Sequence, residues 1–120
     1  HAIENGEGYG TYLHGEAVAI GTAMSVSMSE KMGWITPELK ERVVALLKKA
    51  GLPVTLPKDS VMTPETFMRL MAVDKKVSNG VLRLILLKGE LGECVFTSDY
   101  EQSAMQETVD EFCEGIKGKQ

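Results

Sequence analysis

The stretch from Glu16 to Met32 constrains this chain most. It holds no proline, repeats Ala17, Ile20, Met24 and Met28 at helical spacing, and fills other positions with Ala19, Gly21, Ala23, Ser25 and Ser27. A helix with so few bulky polar side chains belongs at the centre of a fold, where small residues let neighbouring backbones approach. Gly33 stands where a left-handed helix stop is needed. The rest of the chain must therefore supply elements that cover this helix.

Punctuation along the sequence identifies those elements. Thr36-Pro37-Glu38 is a helix start, with threonine as cap, proline at the first helical position and an acid in the first turn. Leu39, Val43, Leu46 and Leu47 form its apolar face, and Lys48, Lys49 and Gly51 mark its end. Leu52 to Ser60, with two prolines, is a connector. Thr63-Pro64-Glu65 repeats the start signal for a short helix that buries Phe67, Leu70 and Met71 and runs out near Asp74-Lys75-Lys76. Ser78-Asn79-Gly80 is turn chemistry. Val81 to Leu87 and Cys94 to Thr97 form a hairpin around Lys88 to Gly92. Ser98-Asp99-Tyr100-Glu101 has the pattern of a capping box, opening a last helix with Met105, Val109, Phe112, Cys113 and Ile116 on one stripe. Residues 1–13 give a short helical end and a tight glycine-rich loop. The expected fold is mainly α, a multi-helical domain with one small β-hairpin.

Composition narrows the function classes. A chain of 120 residues with 43% apolar and 25% charged side chains can build one core without metal or disulfide staples. Its net charge of -4, with no long block of either sign, offers no footprint for nucleic acid or an anionic membrane. No apolar run approaches the roughly 20 residues of a spanning helix. Cys94 and Cys113 follow no metal-binding spacing and read as buried thiols in a reducing compartment, so a cytoplasmic location is expected. The seven methionines either fill an irregular core or form an adaptable interaction surface.

The chemistry is concentrated at the start. Both histidines, His1 and His14, flank the glycine-rich segment, and no initiator methionine precedes them. The expectation is a piece of a longer protein. Imidazole is the commonest transition-metal ligand and the side chain that changes charge nearest neutral pH, but a lone histidine beside glycine at a helix start is more often a surface or cap residue than a ligand. Asp74-Lys75-Lys76 has the same ambiguity, since lysines at a helix end offset its dipole.

The order of the segments carries a family resemblance. His-Ala-Ile-Glu at residues 1–4, Tyr9-Gly10, Leu13-His14-Gly15-Glu16-Ala17-Val18-Ala19-Ile20-Gly21, Ala50-Gly51-Leu52-Pro53, Asp74-Lys75-Lys76 and Leu82-Arg83-Leu84-Ile85-Leu86-Leu87 closely resemble the carboxyl-terminal domain of the 3-dehydroquinate synthase family, over roughly residues 1–97. The resemblance implies a two-domain enzyme. Residues 1–120 would be its helical carboxyl-terminal domain, and the amino-terminal NAD-binding domain would lie outside the chain. The implied reaction is the second step of the shikimate pathway, from 3-deoxy-D-arabino-heptulosonate 7-phosphate to 3-dehydroquinate plus phosphate, with NAD and zinc or cobalt. Such an enzyme is a phosphate-eliminating lyase and a homodimer at full length.

Carried over by position, His1 matches a substrate-contacting acid–base histidine, and His14 a zinc ligand that also lies against substrate. Lys75 matches the substrate-binding lysine, with Lys76 as the second candidate. Two further zinc ligands lie outside the chain, so the isolated chain is expected to be inactive. In the family the metal holds the hydroxyl to be oxidised so that hydride can leave to NAD, and the ketone so formed permits elimination of phosphate. Glu16, in the first turn after His14, serves either the helix dipole or the orientation of His14. The alternatives are a related sugar-phosphate cyclase, a metal-dependent polyol dehydrogenase of the same architecture, and a non-catalytic helical interaction module.

Overall fold

The central helix, α2 (His14–Lys31), is apolar or small around most of its circumference, and Ala17, Ala19, Ile20, Ala23, Met24, Val26, Ser27, Met28 and Ser29 are all buried. Around it stand α1 (Ala2–Glu7), α3 (Pro37–Lys49), α4 (Pro64–Val77), a hairpin of β1 (Leu84–Leu87) and β2 (Cys94–Thr97), and α5 (Gln102–Lys117). This computed structural model describes residues 1–7, 13–56, 60, 62–77 and 79–117, with the side chains of residues 5, 74–77 and 115–117 left aside. The expected mainly α fold with one hairpin is the fold observed.

Three clusters make the core, and each uses α2. Ile20, Met24 and Ala17 pack with Ala2 and Ile3 of α1, Phe67 of α4 and Val109 and Cys113 of α5. Met28 packs with Leu86 of β1 and Ala104 and Met105 of α5. Val26 packs with Ile35 and Val43, joining α3. All seven methionines lie in or against the first two clusters, so they fill the irregular space between helices. The hairpin is antiparallel, pairing Ile85 with Phe96 and Leu86 with Val95, and Ser25 Oγ of α2 donates to the Ile85 carbonyl at 2.7 Å.

Local signals explain most boundaries. Thr36 Oγ1 accepts the Leu39 N–H at 3.2 Å and Pro37 opens α3, as the start signal implies. Gly33 and Gly51 take positive φ after α2 and α3, and Asn79 and Gly80 do so in the turn before the hairpin. Of that turn, Ser78 lies outside the described residues.

Three expectations need correction. The Ser98 to Glu101 box does not cap α5, which begins at Gln102. Thr97 Oγ1 accepts the Asp99 N–H at 2.8 Å and Tyr100 OH donates to the Leu82 carbonyl at 3.1 Å, holding this segment against the hairpin before the helix can start. Cys94 is exposed at the start of β2 while Cys113 is buried, and neither forms a disulfide. Leu46 is 62% exposed, because α3 meets α2 through Leu39, Val43 and Leu47.

One buried group lacks a local reason. Ser29 is fully buried, and its hydroxyl has no hydrogen-bond partner among the described residues. An unsatisfied buried hydroxyl costs about 1–3 kcal/mol. Ser29→Ala is therefore expected to raise stability by about 1 kcal/mol, read as a higher urea midpoint with an unchanged slope. A lower midpoint would contradict the assignment.

Candidate functional site

Two helix starts build the site. α2 begins two residues before the expected Glu16, because Leu13 is extended and Glu16 closes the first turn. Glu16 Oε1 accepts the Leu13 N–H at 2.9 Å, and the Glu16 N–H donates to the Leu13 carbonyl at 3.0 Å. Glu16 thus serves the helix end, and His14 becomes the first residue of α2.

α1 lies beside that start. Ala2 and Ile3 are buried in the same cluster as Ala17 and Ile20, so the apolar side of α1 is fixed on the first turns of α2. Gly6 gives α1 its approach to the other side, since a Cβ there would overlap the Met62 sulfur and meet Leu70 of α4. The docking brings Glu4 to His14. His14 Nδ1 and Glu4 Oε1 are 3.0 Å apart, with the imidazole 75% exposed and the carboxylate 18% exposed.

The surface around His14 is open and partly apolar. Leu13 and Val18 are 74% and 50% exposed, and no described atom lies within 4 Å of a Cβ placed on Gly15. Val18 lies one turn beyond His14 on the same helical face. His1 is exposed at the entry to α1, three residues before Glu4. The structure thus sets His1 and His14 at the starts of two neighbouring helices, and Glu4 of the first meets the His14 imidazole. Lys75 and Lys76 stand on the last turn of α4, which packs against α1, but their side chains lie outside the described residues.

Sequence reading missed Glu4. Its one signal was its place in the His-Ala-Ile-Glu string, and of the two acids only the nearer Glu16 was weighed for orienting His14, as the alternative to a helix-dipole role. A pair ten residues apart on two helices leaves no periodic trace.

As a metal centre the described residues are partial. No group of three His, Cys, Asp or Glu among them could hold an ion. One exposed imidazole with a carboxylate on its other nitrogen nonetheless fits the donor chemistry of a zinc ligand, which is commonly backed in this way. A separate depression of about 340 Å³, lined by Met68, Met71, Leu82, Tyr100 and Met105 among others, includes none of His1, Glu4 and His14. Burial there pushes the Tyr100 hydroxyl above its ordinary value, partly offset by a hydrogen bond with Gln102. No helix of the described residues is long and apolar enough to cross a membrane.

Comparisons with known proteins agree with this architecture. The chain is 57% identical over 112 residues to a chloroplastic 3-dehydroquinate synthase of Solanum lycopersicum, covering 93% of the chain and 25% of that protein. It is 50% identical over 109 residues to a 3-dehydroquinate synthase of Pseudomonas syringae pv. tomato, covering 91% of the chain and 29% of that protein. The chain thus spans about a quarter of the length of these curated relatives. Among solved structures, a 2-epi-5-epi-valiolone synthase from Streptomyces hygroscopicus, with NAD+ and Zn2+ bound, superposes with a TM-score of 0.73 at 27% identity, covering 93% of the chain and 29% of that protein. Residues 1–77 match the family model described as 3-dehydroquinate synthase C-terminal, and the chain belongs to the 3-dehydroquinate synthase family.

Proposed function

We propose that this chain is the helical carboxyl-terminal domain of a longer two-domain enzyme that converts 3-deoxy-D-arabino-heptulosonate 7-phosphate to 3-dehydroquinate and phosphate. The observation that carries the reading is the exposed His14 imidazole, backed by Glu4 on a face that leaves Leu13 and Val18 bare. Such a face suits cover by another domain, and the share of the relatives that this chain spans leaves room for one. Zinc or cobalt, when bound, would supply the Lewis acidity that eases loss of hydride to NAD. The related valiolone synthase, described with both NAD+ and Zn2+, supports that pairing of cofactors.

The residues of this chain divide the remaining work. His14 offers one metal ligand and lies against the substrate. His1, exposed at the entry to α1, contacts the substrate and moves a proton during elimination or ring closure. Lys75 supplies a compact positive charge to an anionic part of the substrate, in a chain whose net charge is -4. NAD is held by the amino-terminal domain, and the intact enzyme is a cytoplasmic homodimer.

The test is product analysis. The intact enzyme, supplied with NAD and zinc, is expected to form 3-dehydroquinate from the heptulosonate phosphate, while the isolated 120-residue chain forms none. A different carbocycle from another phosphorylated sugar would assign it to a sister cyclase. Oxidation of a simple polyol would assign it to the dehydrogenases, and no turnover of any of these substrates would favour a non-catalytic module.

A further inference from the structure

We propose that Glu4 is a positioning residue that holds His14 in the Nδ1–H tautomer and so presents Nε2 to the metal. The inference rests on the reading of His14 as a ligand and extends it to a residue of α1. An ionised carboxylate only accepts hydrogen bonds, so at 3.0 Å the His14 Nδ1 must carry the proton. In a neutral ring the lone pair then resides on Nε2. That nitrogen belongs to an imidazole 75% exposed, whereas Glu4 is 18% exposed and attached to a helix pinned by buried Ala2 and Ile3. The fixed partner is therefore the carboxylate, and the ring is the group it orients. Glu16, the other acid close by, is engaged with the Leu13 N–H.

The contact does more than hold a rotamer. A carboxylate on the distal nitrogen makes the imidazole more basic towards a metal, and loss of such a partner commonly costs about 10–100-fold in metal affinity. It also removes the tautomer in which Nε2–H would block coordination. α1 is thus more than a cover for the core, because its docking sets which nitrogen of His14 can bind.

The experiment uses the intact enzyme in metal-free form with nitrogen-15 histidine, at about pH 8.5 where imidazole is ordinarily neutral. The His14 resonances are identified by their loss in His14→Asn. The nitrogen shifts are expected to show Nδ1–H predominating in the unsubstituted protein and Nε2–H gaining in Glu4→Ala. Zinc affinity, measured by competition with a chelator, should fall about 10–100-fold in Glu4→Ala. Glu4→Gln, whose side-chain oxygen still accepts, should keep the tautomer and lose less affinity, which covers the case in which Glu4→Ala fails to fold. Nε2–H predominating in the unsubstituted protein, or an unchanged tautomer in Glu4→Ala, overturns the proposal. So does an unchanged zinc affinity in Glu4→Ala when His14→Asn loses zinc. If His14→Asn also keeps zinc, the reading of His14 as a ligand is what has failed.

Discussion

His14→Ala in the intact enzyme is expected to abolish turnover and to weaken zinc binding by about 100-fold or more, with little change in melting temperature. The size follows from ligand number. Zinc held by four protein ligands binds with about 10–16 kcal/mol, or roughly 3 kcal/mol for each ligand, and 1.4 kcal/mol is tenfold. Open catalytic sites have three protein ligands, so the loss of one leaves a pair that seldom retains the ion. The fold should tolerate the change, because the His14 side chain is 75% exposed and its cap contacts belong to Leu13 and Glu16. Exposed substitutions of this kind stay within about 0.5 kcal/mol. Zinc content after gel filtration and a thermal melt, taken together, read the result. A variant that keeps its zinc and its turnover would remove His14 from the site.

Ile20→Ala should produce the largest loss of stability among single truncations on α2. Ile20 is 0% exposed and shares its cluster with residues of α1, α4 and α5, so its side chain fills the junction of four helices. Truncating such a residue costs about 2–5 kcal/mol, part as lost burial and part as the cavity left behind. Against a typical total of about 5–15 kcal/mol this is a large share. The melting temperature should fall by about 10 °C, at some 4 °C per kcal/mol for a domain of this size. Ile20→Val, which removes one methyl group, should cost only about 0.5–1.5 kcal/mol. The junction also supports α1, so Ile20→Ala should loosen the Glu4 contact and weaken zinc binding, whereas the Ser29→Ala change should leave it intact. A loss below about 1 kcal/mol for Ile20→Ala would mean that the surrounding helices close the gap.

Much of the fold was legible in single segments. Thr36 and Pro37 announce α3, Gly33 and Gly51 mark the ends of α2 and α3, and Asn79-Gly80 turns the chain into the hairpin. These signals work because caps and positive φ angles are local requirements that few residue types meet. The start of α5 was misplaced for the opposite reason. Ser98 to Glu101 has the pattern of a box, but Tyr100 is drawn to the Leu82 carbonyl, a partner 18 residues away. Cys94 and Leu46 looked buried by type, and the faces that their elements turn to the core leave both exposed.

Residue type and order were enough to link the motifs to one family, and that resemblance proposes His1, His14 and Lys75 for the site. The sequence by itself also determined that α2 would be central, since its small and apolar residues leave little polar surface to face water. Only the tertiary structure decided which acid meets His14. Sequence spacing left Glu16, two residues away, either to the helix dipole or to His14, and its carboxylate closes the first turn of α2 on the Leu13 N–H. Glu4 reaches the imidazole from a second helix because Ala2, Ile3, Ala17 and Ile20 share one buried cluster. Burial of apolar area is non-directional and acts between segments far apart in the chain, so a contact made by helix docking has no period or motif from which to read it.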